Sequence, residues 1–184
     1  MSSMYEGFDD VEASYGFVPE PLPKGWYPMV VEKVLDTKTS VKGSLSARLQ
    51  LQVTEGEYKD KRAFVSLTMT PAKLDQNNQN KTEAELKKNT TVIQQLMSGW
   101  MKSINATTSI PAGADEDEKV CSFFNIGTWD GSQFMANIKY RAASGNFDAS
   151  NNLGSFRNLD DEKYGIAVWR EKSVSKDEKV AQTI

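Results

Sequence analysis

The sequence predicts a mainly β protein with one or two helices, built as a five-stranded Greek-key barrel. Three observations predict it. Three consecutive segments between Gly25 and Thr70 carry strand patterning, the next apolar periodicity, Leu86 to Ile104, is helical, and two further strand-like segments follow it. Three strands, a helix and two strands is the element order of an OB-fold, whose helix lies between strands three and four. Another five-stranded barrel or a small sandwich would share the pattern.

Residues 1–23 read as an arm and linker, with Tyr5, Phe8, Tyr15 and Phe17 among five acids and three prolines at the end. The first strand, Trp26 to Leu35, is apolar and rich in valine. In the second, Leu45, Ala47, Leu49, Leu51 and Val53 alternate with Ser46, Arg48, Gln50 and Gln52, the period-two signature of a half-buried strand. In the third, Ala63, Val65, Leu67 and Met69 alternate with Arg62, Phe64, Ser66 and Thr68. The linking segments Asp36 to Gly43 and Glu55 to Lys61 are polar, and the second is a Gly-containing hairpin loop. Thr82 and Glu85 form a capping box at the head of a helix over Glu83 to Ile104, in which Gly99 is a candidate break. Asp115 to Glu118 fits the acidic first turn of a short second helix ending near Gly127. After a turn at Trp129 to Ser132, Phe134, Ala136, Ile138 and Tyr140 predict the fourth strand. A loop is expected over Ala143 to Asp161, the fifth strand over Tyr164 to Arg170, and a disordered tail from Glu171 to Ile184. The barrel domain is thus 24–170.

Charge is unevenly spread. Residues 1–23 carry five acidic and no basic residues, whereas 24–74 carry nine basic against five acidic. A formal net charge of −3 therefore hides a mildly basic three-strand core. The single cysteine, Cys121, excludes an internal disulfide and sits in an apolar setting that reads as buried. No secretory leader is visible and no run is long enough to span a membrane, so a cytoplasmic protein is expected.

The sequence contains no histidine, no phosphate-binding glycine loop and no zinc-ligand spacing, so an enzyme, a cofactor and a metal are not expected. A binding surface is. The outer face of strands two and three, with the neighbouring loops, is where such a barrel takes oligonucleotides. That face holds Arg48, Gln50, Arg62 and Phe64, and an outward aromatic ring between arginines suits base stacking on a phosphate track, the alternative being that Phe64 packs under the helix or a neighbouring loop. Lys42, Lys59, Lys61, Lys139 and Arg141 are further expected phosphate contacts, and Trp26, Tyr58 and Trp129 are candidates either for stacking or for core and loop packing. The acidic, aromatic arm is similar to a nucleic-acid strand in charge and ring content. It is read as a competitor for the groove, as a solubilising tail, or as a contact to another subunit or a replication protein.

Around Gly56-Glu-Tyr58-Lys-Asp-Lys-Arg62-Ala-Phe64, preceded by Lys42-Gly43-Ser-Leu45 and Leu49-Gln-Leu51, the chain resembles a family of small bacteriophage proteins that look like OB-fold single-stranded DNA-binding proteins. The resemblance spans Gly25 to Thr70 well and Leu86 to Arg141 loosely. It implies sequence-independent binding of single-stranded DNA in phage replication or recombination, inside the cytoplasm of an infected bacterium. Single-stranded DNA, replication or recombination proteins and a second copy of the chain are the implied partners. The long loop before the last strand and the neutral C-terminus depart from that pattern. The alternative is a protein–protein module, a virion or replisome accessory factor, using the same surface.

Overall fold

The computed structural model describes residues 20–145 and 148–181. The expectation for most of the arm, residues 1–19, lies outside them. Five antiparallel strands form one sheet: β1 (Gly25–Thr39), β2 (Leu45–Val53), β3 (Arg62–Thr68), β4 (Gln133–Arg141) and β5 (Ser150–Arg157), in the spatial order β3-β2-β1-β4-β5. Three helices accompany them, α1 (Glu83–Ser103), α2 (Glu116–Phe123) and α3 (Ile166–Ala181). Both α1 and α2 fall between β3 and β4 in the chain.

The alternation read in β2 and β3 is the burial pattern of the structure. Leu45, Ala47, Leu49, Leu51 and Val53 are buried together with Ala63, Val65 and Leu67, and the residues between them are exposed or half-exposed. Register preserves this sidedness: Leu49 stands opposite Val65 and Gln50 opposite Phe64. β1 runs four residues past its expected end, to Thr39, because it pairs with β2 over its whole outer half. The pairing slips at two bulges, between Val31 and Lys33 and between Val34 and Asp36, and each inserts a residue that re-aims the strand.

Helix α1 begins as read, with the Thr82 hydroxyl accepting from the Glu85 N–H and the Glu85 carboxylate accepting from the Thr82 N–H at 2.9 Å. Gly99 does not break it. It lies where α1 passes Phe156 of β5, and the helix buries Met97, Trp100 and Met101 on its inner face. Trp100 is fully buried and meets Trp129, Phe134 and Phe156 edge-on, with centroids 5.5, 5.0 and 5.3 Å away. The acidic helix start is also found: Asp115 caps α2 by accepting from the Glu118 N–H at 2.8 Å. Cys121 is only half-buried, at the edge of the core, and burial pushes its thiol pKa up.

Four expectations for the rest of the chain are corrected. The fifth strand is Ser150–Arg157, inside the expected loop, where pairing with β4 overrides a sequence of poor strand formers, Ser-Asn-Asn-Leu-Gly-Ser-Phe-Arg. Of residues 164–170, expected as that strand, 166–170 form the start of α3 instead, and α3 runs through much of the expected disordered tail. The helix count is three rather than one or two. The linker end of the arm belongs to the core, since Leu22 is fully buried and its N–H and C=O are both bonded by the Asn151 amide at 2.8 Å.

Four contacts dock α3. Tyr164 stacks on Trp26 with centroids 4.7 Å apart, the Trp169 indole N–H donates to the Trp26 carbonyl at 2.8 Å, Arg170 forms a bidentate pair with Glu55, and Trp169 lies on Gly56. Gly56 has φ +86°, and a Cβ there would come within 2.6 Å of the indole. Gly56→Ala is therefore expected to cost about 1–3 kcal/mol in backbone strain and to loosen α3. Limited proteolysis checks this: the variant should be cut within residues 166–181 faster than wild type, and an unchanged rate would count against this docking.

β3 and β5, the outer strands of the order, share no ladder among the described residues, yet their Cα atoms approach within 8 Å. Pro21 lines a cavity of about 170 Å³ together with Arg62, Ala63, Phe64, Ala149, Ser150 and Asn151, so the incoming chain passes between these two edges.

Candidate nucleic-acid interface

The outer face of β2 and β3 brings together four of the expected residues. In register, Gln52 stands opposite Arg62, Gln50 opposite Phe64, Arg48 opposite Ser66 and Ser46 opposite Thr68. Phe64 is 46% exposed, although its neighbours Ala63 and Val65 are buried. The ring is therefore half in water on an otherwise polar strand face, open to a ligand or partner.

The arginines are not free. Arg62 makes a bidentate pair with Glu32, at 2.6 and 2.7 Å, and the Gln50 amide donates to the same carboxylate at 2.7 Å. Arg48 makes a bidentate pair with Asp36. The two β1 bulges lie beside these acids and aim them across the sheet. Hydrogen bonds from Arg62 and Gln50 hold the Glu32 carboxyl at about 2, well below its ordinary 4.5. Arg48 likewise lowers Asp36 and is itself raised by it. A phosphate approaching either guanidinium competes with the carboxylate already held on its Nε–Nη2 edge, or takes the N–H groups that the carboxylate leaves unused.

Because the folded pKa of Glu32 lies below its unfolded value, its stabilising contribution is present above about pH 4.5 and is lost as pH falls toward 2. Glu32→Gln should thus flatten the acid limb of a stability titration over that window. If a single strand lies on this face, release of Arg62 to a phosphate should make the same variant bind it more tightly, with a log–log salt slope steeper by about 0.7. Unchanged affinity and slope would mean that Arg62 is not on the ligand path.

The remaining expected residues scatter. Tyr58 is half-buried in the β2–β3 loop, edge-on to Tyr27 at 5.8 Å, with the Lys61 ammonium 5.5 Å over its ring. Tyr27 itself is buried, and its hydroxyl, which donates to the Pro23 carbonyl, is pushed up to about 12 by burial. Lys59 and Lys61 project from that loop, Lys61 within 3.5 Å of Glu20. Lys42 is on the β1–β2 loop, and Lys139 and Arg141 are exposed on β4, which β1 separates from β2. One stacking candidate, Trp129, is corrected. Trp129 is fully buried in the aromatic core, its indole N–H donating to the Phe124 carbonyl at 3.0 Å, so no face is left for a base. Trp26 is half-buried with one face covered by Tyr164.

Sequence reading missed the acids Glu32 and Asp36, whose signal was their position on the outer side of a strand facing Arg48 and Arg62. Among the described residues no group of three His, Cys, Asp or Glu side chains could hold a metal ion, and no helix is long and apolar enough to cross a membrane. No protein-family model matches the chain, and no curated protein matches it in sequence.

Proposed function

We propose that the chain is an OB-fold-like protein that binds single-stranded DNA, without sequence preference, on the outer face of β2 and β3, and that it serves phage DNA replication or recombination in the host cytoplasm. The observation that carries this reading is Phe64: a half-exposed ring in the middle of a polar face, opposite Gln50 and one pleat from Arg62. A base stacked on such a ring contributes about 1–3 kcal/mol, independent of which base it is. Arg48 and Arg62 flank the ring and supply cationic partners for phosphates once Glu32 and Asp36 yield. The sheet order, with β3 and β5 approaching each other, is compatible with a barrel of this type.

A second reading is favoured by the same ion pairs. A face whose arginines are already neutralised suits a protein ligand of mixed charge better than a polyanion. Fluorescence anisotropy of a labelled oligo(dT) across a salt series separates the two. The nucleic-acid reading expects binding at low salt that weakens steadily with added salt; no binding at low salt sinks it and favours the protein partner. Intrinsic tryptophan quenching is the poorer readout, since Trp100 and Trp129 are buried and Trp26 and Trp169 are engaged beneath and within α3.

A further inference from the structure

The outer edge of β3 carries backbone groups that no described strand takes up in a ladder. At the two ends of the β2–β3 pairing the Val53 N–H donates to the Lys61 carbonyl at 2.9 Å and the Met69 N–H donates to the Leu45 carbonyl at 2.8 Å. The register between them is unbroken, so the bonds to β2 fall on every second residue, through Ala63, Val65 and Leu67. The N–H and C=O groups of Arg62, Phe64 and Ser66 therefore point the other way, toward β5, with which β3 shares no ladder.

Along this edge lies the cavity of about 170 Å³, with Arg62 and Phe64 on the β3 side and Ala149, Ser150 and Asn151 on the β5 side. Asn151 is buried and both ends of its amide are bonded to Leu22, so it fixes that wall. Ser150 is half-buried, and its hydroxyl can donate or accept by rotating. Pro21 also lines the cavity and interrupts the edge as a template for a full added strand. A shorter polar group is not so hindered. A strand residue presents its N–H and C=O on the same side, a donor next to an acceptor. Each nucleobase likewise carries an adjacent donor and acceptor on its Watson–Crick edge, which is open to a protein only while the base is unpaired.

We propose that this cleft takes the Watson–Crick edge of an unpaired base from the strand that stacks on Phe64, the base bonding to the N–H and C=O that Phe64 presents along the edge of β3; the proposal rests on the single-strand reading above. Because all four bases offer a donor beside an acceptor, the contact adds no preference among them. It does exclude duplex, whose Watson–Crick edges are consumed by the partner strand. Stacking and phosphate contacts alone draw that distinction poorly, since a duplex also offers phosphates and terminal ring faces.

The test compares, by anisotropy, the binding of labelled oligo(dT) with that of the same oligomer built from N3-methylthymidine, which keeps the flat ring and the phosphates but blocks the Watson–Crick edge. Wild type should bind the methylated oligomer more weakly by roughly 2- to 12-fold, the worth of one hydrogen bond, with an unchanged salt slope. Ala149→Leu narrows the cleft from the β5 side. With its folding verified by a thermal melt, that variant should bind the two oligomers alike. Equal affinity of wild type for both oligomers overturns the proposal and leaves the single-strand reading standing, and so does a preference that Ala149→Leu retains in full. If wild type binds neither oligomer, the single-strand reading falls and this proposal with it; a dimer in sedimentation of the same sample would then point to strand addition by a second copy.

Discussion

Trp100→Ala is expected to lower the melting temperature by about 6–20 °C, the largest stability loss of any single truncation proposed for this chain. Trp100 is fully buried and is the one ring that touches Trp129, Phe134 and Phe156, thereby joining α1 to β4, β5 and the turn before β4. Removing a large buried aromatic side chain costs about 3–5 kcal/mol through lost transfer energy and the cavity left behind. For a protein of this length each kcal/mol is worth about 2–4 °C. Among the described residues the indole N–H of Trp100 has no hydrogen-bond partner, so truncation strands no acceptor there and the loss is chiefly one of packing. Phe therefore substitutes better than Ala at this position. Thermal melts followed by circular dichroism decide it, and a fall of less than about 3 °C for Trp100→Ala would show that the aromatic hub is not the centre of the core.

Phe64→Ala is expected to have the opposite profile, near-normal melting with single-strand affinity reduced by about 1–3 kcal/mol, or roughly 5- to 150-fold. The ring is half-exposed and stands on the wet face, so its truncation opens no cavity in the core. Its loss removes a large exposed apolar side chain beside Arg62 and diagonal to Arg48 on that face. Anisotropy with oligo(dT) and a thermal melt on the same sample read both quantities. A large drop in melting temperature with unchanged affinity per folded molecule would assign Phe64 to packing against the β3–β5 gap, where it already borders Pro21 and Asn151.

What was legible in the sequence were features in which local pattern and tertiary burial agree. The period-two alternation of β2 and β3 and the capped, amphipathic α1 are examples, because burial on one face imposes the period directly. β5 was illegible because its residues are poor strand formers recruited by the β4 edge, and a two-residue alternation at Tyr164, Ile166 and Val168 suggested a strand where the chain forms α3. Trp129 looked like a turn residue available to a ligand, yet the turn folds inward over Trp100. On the candidate face the side-chain direction of Arg48, Gln50, Arg62 and Phe64 followed from the alternation. Their ion-pair state did not, since Glu32 and Asp36 reach them only through bulges in a neighbouring strand.

The claim that a single strand lies across β2 and β3 is tested most directly by photocrosslinking. A dT oligomer is irradiated on the wild-type protein at low salt, and the modified peptides are mapped by mass spectrometry. Crosslinks are expected on Phe64 and on the peptide from Arg62 to Thr68, suppressed by added salt. Crosslinks confined to α2, α3 or β4, with none on β3, would contradict it.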